Sequence, residues 1–210
     1  MKNELNIYTD GSCLNNPGQG GWGIVVIKPD GVIEEYSQGF KLTTNSRMEM
    51  KAMYMALKYA EKHGQGKVNI HSDSNFIIQA FTQHWLEGWV KKGWKKQKNE
   101  PVANSDIWKK IYPLYKKLDV NFIKVKAHSG IEYNEQVDEL ARAAAMGNDL
   151  LEDEGYTPNS ELAQTTLLET NHENKITLEN VLSNGVPSIK IKSGTKSITI
   201  TKQQLEDFLK

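Results

Sequence analysis

Glu4-Leu5-Asn6-Ile7-Tyr8-Thr9 alternates polar and apolar residues and ends at Asp10-Gly11-Ser12. Alternation of period two is the signature of a half-buried strand, so this stretch predicts a strand that delivers a carboxylate at its C-terminal end. A glycine-rich stretch, Gly18 to Gly23, leads into Ile24-Val25-Val26-Ile27, and Pro29-Asp30-Gly31 is a turn signal before a third strand at about Val32 to Phe40. The first forty residues therefore predict a three-stranded antiparallel meander.

Beyond it the period changes. From Arg47 to Lys62, Met50, Met53, Leu57 and Ala60 recur at helical spacing, and Gly64 and Gly66 stand just past the end as stop signals. Val68-Asn69-Ile70-His71-Ser72 predicts a fourth strand ending at Asp73, Ser74–His84 and Ser105–Leu118 two helices, Val120–Lys126 a fifth strand and Glu135–Met146 a last helix. Strands separated by helices imply crossover connections and a parallel portion of sheet. The expected class is α/β: a mixed five-stranded sheet, three strands antiparallel and then parallel ones, flanked by helices. Ligand sites in such sheets collect at the carboxyl ends of the strands.

The bulk numbers set bounds. The chain has 210 residues, 38% hydrophobic and 25% charged, enough for one full domain and a smaller piece. No run approaches the roughly 18 apolar residues of a membrane span. The start enters a strand pattern without an apolar leader, so we expect a cytoplasmic protein that meets no membrane. One cysteine, Cys13, excludes an internal disulfide and fits a reducing compartment. Lysine plus arginine total 26, against 26 acids, so contact with nucleic acid would have to come from local patches rather than overall charge.

After about Thr157 the composition shifts. Residues 158–174 are rich in Asn, Glu, Thr and Ser and read as a linker between a domain at 1–157 and a small module at 175–210. In that module Ser188-Ile189-Lys190-Ile191-Lys192 and Ser197-Ile198-Thr199-Ile200-Thr201 alternate around Ser193-Gly194, which predicts a hairpin, and Gln203–Leu209 predicts a short helix. Thirty-six residues are few for an independent core. Six lysines against three acids there leave open weak nucleic-acid attachment, docking on the main domain, or contact with a second copy or another protein.

Three acids stand where stability alone would not put them: Asp10 and Asp73 at the ends of apolar strands, and Glu49 among methionines and alanines; Asp138, early in the last helix, is a fourth. Oxygen-only donors suit Mg²⁺ or Mn²⁺, and two such ions about 3.5–4 Å apart activate water and stabilise a leaving oxygen in phosphodiester cleavage. Each acid taken singly also has a structural reading, as a turn or helix cap or as a favourable charge at a helix N-terminus. The words around them settle the matter. Thr9-Asp10-Gly11-Ser12-Cys13, Asn16-Pro17-Gly18 with Gly20-Gly21-Trp22-Gly23, Thr43-Thr44-Asn45-Ser46-Arg47-Met48-Glu49, Ser72-Asp73-Ser74, Val125-Lys126-Ala127-His128-Ser129-Gly130 and Asn134-Glu135-Gln136-Val137-Asp138-Glu139-Leu140-Ala141 together resemble bacterial ribonuclease HI. The match is colinear from residue 1 to about 157 and leaves out the tail.

That resemblance implies an endonuclease that cuts the RNA strand of RNA/DNA hybrids with two Mg²⁺ ions, Mn²⁺ being an alternative, and acts as a monomer. It implies Asp10, Glu49, Asp73 and Asp138 as metal-binding carboxylates, and His128 on a loop where an imidazole exchanges protons near neutral pH. Distinguishing RNA from DNA requires reading the 2′-hydroxyl, a task suited to backbone amides and short amide side chains; Gly11, Ser12, Cys13, Asn16, Asn45 and Asn75 border the acids. Asn75 replaces the glutamine often found there in the family, with a shorter reach. Thr44, Arg47 and Asn16 resemble the residues that hold a DNA-strand phosphate. Trp85, Trp89 and Trp94, interleaved with Lys91, Lys92, Lys95 and Lys96, resemble the family's basic protrusion, in which lysines release counterions from phosphates and aromatic faces meet sugar or base. Val90 stands where relatives often carry another cation. The remaining histidines, His63, His71, His84 and His172, have no motif around them and read as structural or solvated. Two other readings compete: a catalytically silent hybrid-binding module, opposed by the filled acidic positions, and a transposase or resolvase of the same fold, which would not need the asparagine-rich loops.

Overall fold

The computed structural model describes residues 4–64, 66–157, 176–183, 186–193 and 196–201. The chain divides into two compact units, Met1–Thr157 and Pro158–Lys210. The expected linker at 158–174 and the helix expected at Gln203–Leu209 lie outside the described residues.

In the first unit β1 (Glu4–Cys13), β2 (Gly18–Ile27) and β3 (Ile33–Thr43) form the antiparallel meander. The turn between β2 and β3 closes through Gly31, whose φ of 85° is accessible to glycine without strain, and through Asp30 Oδ1, which accepts from the Val32 amide at 3.1 Å. Helix α1 (Asn45–His63) crosses over to β4 (Lys67–Ser72), parallel to β1. Helices α2 (Asn75–Thr82), α3 (Trp85–Lys91) and α4 (Ser105–Lys117) lead to β5 (Val120–Lys124), parallel to β4, and α5 (Glu132–Met146) leads to β6 (Leu150–Leu151). The sheet order is β5-β4-β1-β2-β3-β6. The sheet thus has six strands rather than five, because two residues after α5 pair parallel with Gly39 and Phe40.

Helices cover the two faces of this sheet for reasons visible in the side chains. On one face α1 buries Met48, Met50, Ala52, Met53, Ala56, Leu57 and Ala60 against β1 and β2. Each fully buried methionine or leucine contributes about 1.5–3 kcal/mol. On the other face α5 lies on β1, β2 and β3 through alanines, close enough that a Cβ on Gly21 would run into the backbone of Ala141 and Ala145. Under α2 and α4 the Phe81 ring stacks on Phe122, centroids 3.9 Å apart, and meets Trp108 edge-on. The helix expected at Ser74–His84 is broken after Thr82, because His84 takes left-handed backbone (φ 56°) and α3 starts afresh from it. Among the described residues no helix is long and apolar enough to cross a membrane.

The second unit contains β7 (Ile176–Ser183), β8 (Val186–Ser193) and β9 (Lys196–Thr201), an antiparallel sheet in that order. Strands β8 and β9 pair from Ser188↔Thr201 to Ser193↔Lys196, and β7 adds a third strand with Leu178 opposite Ile191.

Candidate active site

Asp10 lies inside β1 rather than at its end, and pairs with Gly23 of β2. Gly23 points at Val137 and Ala141 of α5, so Asp10, directly opposite it, projects from the α5 face of the sheet. Its neighbour Gly11 points the other way. A Cβ there would collide with the backbone of Met48 and Glu49, so the glycine lets the first turn of α1 press against β1 and brings Glu49 close to Asp10. Asp73 follows Ser72, the parallel partner of Thr9, and so emerges from the end of β4 beside Asp10. Asp138 is half-buried on α5, one residue after the buried Val137.

The electrostatics show how near these groups are. Burial, joined by the negative charges of Asp73, Asp138 and Glu49, pushes the Asp10 carboxyl up from 3.8 to about 8, against one opposing hydrogen bond from the Gly11 amide at 2.7 Å. Burial also raises Glu49, and Asp73 adds to it; the Ser74 hydroxyl (2.7 Å to Oε2) and the charge of Lys124 oppose the shift. Asn45 Nδ2 donates to the other oxygen, Glu49 Oε1, at 3.0 Å. Among the described residues no three acidic, histidine or cysteine side chains are already closed on one point as a metal clasp. Asp73, Asp138 and Glu49 all act on Asp10 electrostatically. Such an oxygen-rich, over-negative group fits Mg²⁺, which keeps several waters and takes one or two carboxylates together with substrate phosphates.

Around the acids, Asn16 Oδ1 accepts from the Asn45 amide at 3.0 Å and ties the β1–β2 loop to the start of α1. Thr44 is the N-cap of α1 and accepts from the Arg47 amide at 3.4 Å. Ser12 lies near the end of β1, half-buried, and Asn75 is exposed at the first position of α2. The Cys13 thiol donates to the Asn15 carbonyl at 2.6 Å and is turned away from nucleophilic work, its pKa raised by burial. His128 is exposed, with φ 48°, on the loop between β5 and α5; Gly130 pins that loop by donating to Glu135 Oε1 at 2.9 Å. Lys91, Lys92, Lys95 and Lys96 are exposed, whereas Trp85, Trp89 and Trp94 are half-buried and pack against the core. Trp89 contacts Trp108 at 5.5 Å, so these tryptophans anchor the protrusion as well as lining it.

Two expectations need correction. Arg47 cannot serve a phosphate. Its side chain is only 2% exposed, and all its donors are spent: Nε and Nη2 on Asp153 (2.7 and 2.9 Å), Nη2 and Nη1 on Asp106 (2.7 and 2.9 Å), and Nη1 on Asn104 at 3.4 Å. For Asp153, burial alone would raise the carboxyl, but hydrogen bonds from Arg47 and Thr43 and the charge of Lys51 overcome it and hold it below the usual range. Gly11 is buried and its amide is turned onto the Asp10 carboxylate, so its part is close packing rather than reading a hydroxyl.

Three residues near the acids escaped sequence reasoning. Ser74 lies inside the quoted Ser72-Asp73-Ser74, yet only the fold shows its hydroxyl on Glu49. Asp153 stands in Glu152-Asp153-Glu154-Gly155-Tyr156, the end of the stretch that resembles the family, but its pairing with Arg47, 106 residues away, has no local signal. Lys124, just before the Val125-Lys126-Ala127-His128 word, donates from Nζ to the Asp73 carbonyl at 2.5 Å and to the Val125 carbonyl at 2.8 Å. His71 is structural: it stacks on Tyr8, centroids 4.2 Å apart, and its Nε2 lies 3.2 Å from Asn6 Oδ1. A groove of about 960 Å³ between α1, α4, β3 and residues 151–155 is lined by none of the four acids.

Comparison with known proteins bears on the family and the fold. Residues 2–146 match the family described as RNase H. Ribonuclease H of Lachnoclostridium phytofermentans is 46% identical over 155 residues, 71% of this chain and 97% of that protein. LC9-RNase H1, a type 1 RNase H with the type 2 active-site motif, superposes with a TM-score of 0.62 at 26% identity, covering 78% of this chain and 82% of that one. LC11-RNase H1, solved in complex with an RNA/DNA hybrid, has a TM-score of 0.53 at 24% identity over 68% of this chain and 96% of that one, a likeness of fold. A family match over most of the chain, on the fold that the solved relatives share, makes this protein a member of the ribonuclease H family.

Proposed function

We propose that the first unit is an endonuclease that hydrolyses the RNA strand of RNA/DNA hybrids without base-sequence preference, leaving 5′-phosphate and 3′-hydroxyl ends. The observation that carries this reading is Asp10, a carboxyl lifted to about 8 by burial and by three neighbouring acids. Such a cluster is costly in the free protein and is relieved by cations brought to it. That LC11-RNase H1 was solved with an RNA/DNA hybrid supports the choice of substrate.

Asp10, Glu49, Asp73 and Asp138 would hold the ions, Mg²⁺ in the first place and Mn²⁺ as a substitute. When bound, two divalent ions supply water activation and neutralise charge building on the phosphate and leaving oxygens. The rest is work for the chain. Ser74 and Asn45 fix the two oxygens of Glu49, so its carboxylate cannot rotate away. Asn45 keeps its Oδ1 to accept from a 2′-hydroxyl, and Ser12 and Asn75 stand at the same rim. Asn16 keeps its Nδ2, and Thr44 its hydroxyl proton, for a DNA-strand phosphate; with Arg47 withdrawn, these neutral donors carry that contact. His128 on its exposed loop exchanges a proton with attacking water or departing product. The exposed lysines of the protrusion follow the backbone at a distance from the chemistry. In this reading residues 1–157 suffice for cleavage, act as a cytoplasmic monomer, and are joined through 158–174 to a separate module at 175–210.

The test is cleavage of an end-labelled RNA/DNA hybrid in Mg²⁺ beside RNA and DNA duplexes. Cutting of the hybrid alone, abolished by chelator, is the expected result. Binding without cutting would overturn the enzyme reading in favour of a hybrid-recognition module, and cutting of duplex DNA would point to the transposase or resolvase chemistry.

A further inference from the structure

Lys124 ends β5 at the edge of the carboxylate group. Two of its three ammonium protons are committed, to the Asp73 carbonyl at the end of β4 (2.5 Å) and to the Val125 carbonyl (2.8 Å). The ammonium therefore clamps the two strand ends that frame Asp73. Its charge is not neutralised by an ion pair of its own among the described residues, and Glu49 lies within its electrostatic reach. A positive charge at that place has two opposite consequences. It offsets repulsion among the acids while no ion is present, and it repels any divalent cation that comes to them.

We propose that Lys124 is a positioning residue of the carboxylate site, a resident cation that holds the Asp73 strand end in place and sets the affinity of the four acids for divalent ions at a moderate level. The inference rests on the reading of those acids as the ion site. Its mark is unusual: a substitution that removes the charge loosens the free protein yet tightens its grip on Mg²⁺. A merely structural lysine would lower both.

The experiment uses the full chain with Lys124→Gln, Lys124→Met and Lys124→Arg, and reads Mg²⁺ affinity by calorimetry and the rise in melting temperature on adding Mg²⁺. Lys124→Gln, which removes the charge but keeps a donor for the carbonyls, binds Mg²⁺ about threefold to tenfold tighter, whereas Lys124→Met, which also removes the clamp on the Asp73 strand end, binds less tightly than Lys124→Gln. Lys124→Arg retains wild-type affinity. Wild-type or weaker affinity in Lys124→Gln, or Lys124→Met binding as tightly as Lys124→Gln, would overturn the role given to Lys124. An Asp10→Asn control separates the two levels of the argument: if it leaves Mg²⁺ binding intact, the ion site itself is misplaced, whereas if it abolishes binding and the Lys124 variants change nothing, only the role of Lys124 fails.

Discussion

Two charged clusters flank the first turn of α1, and they are built on opposite principles. At Arg47 every donor meets an acceptor: side chains 2% and 1% exposed, Arg47 and Asp153, are paired, and Asp106 and Lys51 complete the balance. At Glu49, two residues further on, four acids gather, and among the described residues Lys124 and a few neutral donors offset them. The first cluster holds the fold; the second, in the proposed reading, is balanced only when cations come to it. Buried charge is common to both, and the uncompensated remainder is what sets the second apart.

The sharpest way to break the comparison is to exchange the consequences. Asp10→Asn should lower hybrid cleavage on the order of 1,000-fold in a single-turnover assay, with binding of the hybrid kept. Arg47→Met should leave the cleavage rate per folded molecule near wild type but cost about 3 kcal/mol of stability, because buried Asp153 loses both guanidinium bonds and keeps only Lys51 and Thr43. For a chain of this size that corresponds to a fall in melting temperature of roughly 10 °C, readable by calorimetry. Ser74→Ala frees one oxygen of Glu49 and should reduce kcat about tenfold while leaving KM for the hybrid unchanged. Replacing Lys92, Lys95 and Lys96 by Gln should leave kcat alone and flatten the salt dependence of hybrid binding by roughly 0.7–0.9 for each phosphate no longer neutralised, the smallest change of the set at low salt.

Much of this contrast could be read in the sequence, and the failures are instructive. Alternation in Glu4–Thr9 and helical spacing in Arg47–Lys62 located the framework, because each of these elements buries one face on a shared core, while β4 (Lys67–Ser72) is buried on both faces. The acids were picked out by their surrounding words. Arg47 was misassigned because its partners Asp106 and Asp153 lie 59 and 106 residues away, and no local pattern announces that they will close on it. The third helix was not foreseen: seven residues with Gly88 in the middle carry little propensity of their own, and packing of Trp89 on Trp108 holds them. Likewise β6 is only two residues, formed where α5 releases the chain beside β3. The last helix begins a turn earlier than its apolar pattern, since its first residues, Glu132 to Asn134, belong to the loop side of the site rather than to the core stripe.

The most direct test of the unsatisfied cluster is the stability of the ion-free protein against pH, by urea unfolding of wild type and Asp10→Asn at about pH 5 and about pH 8.5. The folded state holds the Asp10 proton up to about 8, whereas the unfolded chain gives it up near 3.8. The stabilisation tied to that proton is full below the lower value and is lost as pH rises through the upper one. Wild type should therefore weaken between the two conditions, Asp10→Asn should be more stable than wild type by roughly 2 kcal/mol at the higher pH, and Mg²⁺ should restore the wild type alone. A wild type that is indifferent to this change of pH, or an asparagine variant weaker than wild type at the higher pH, would contradict the account.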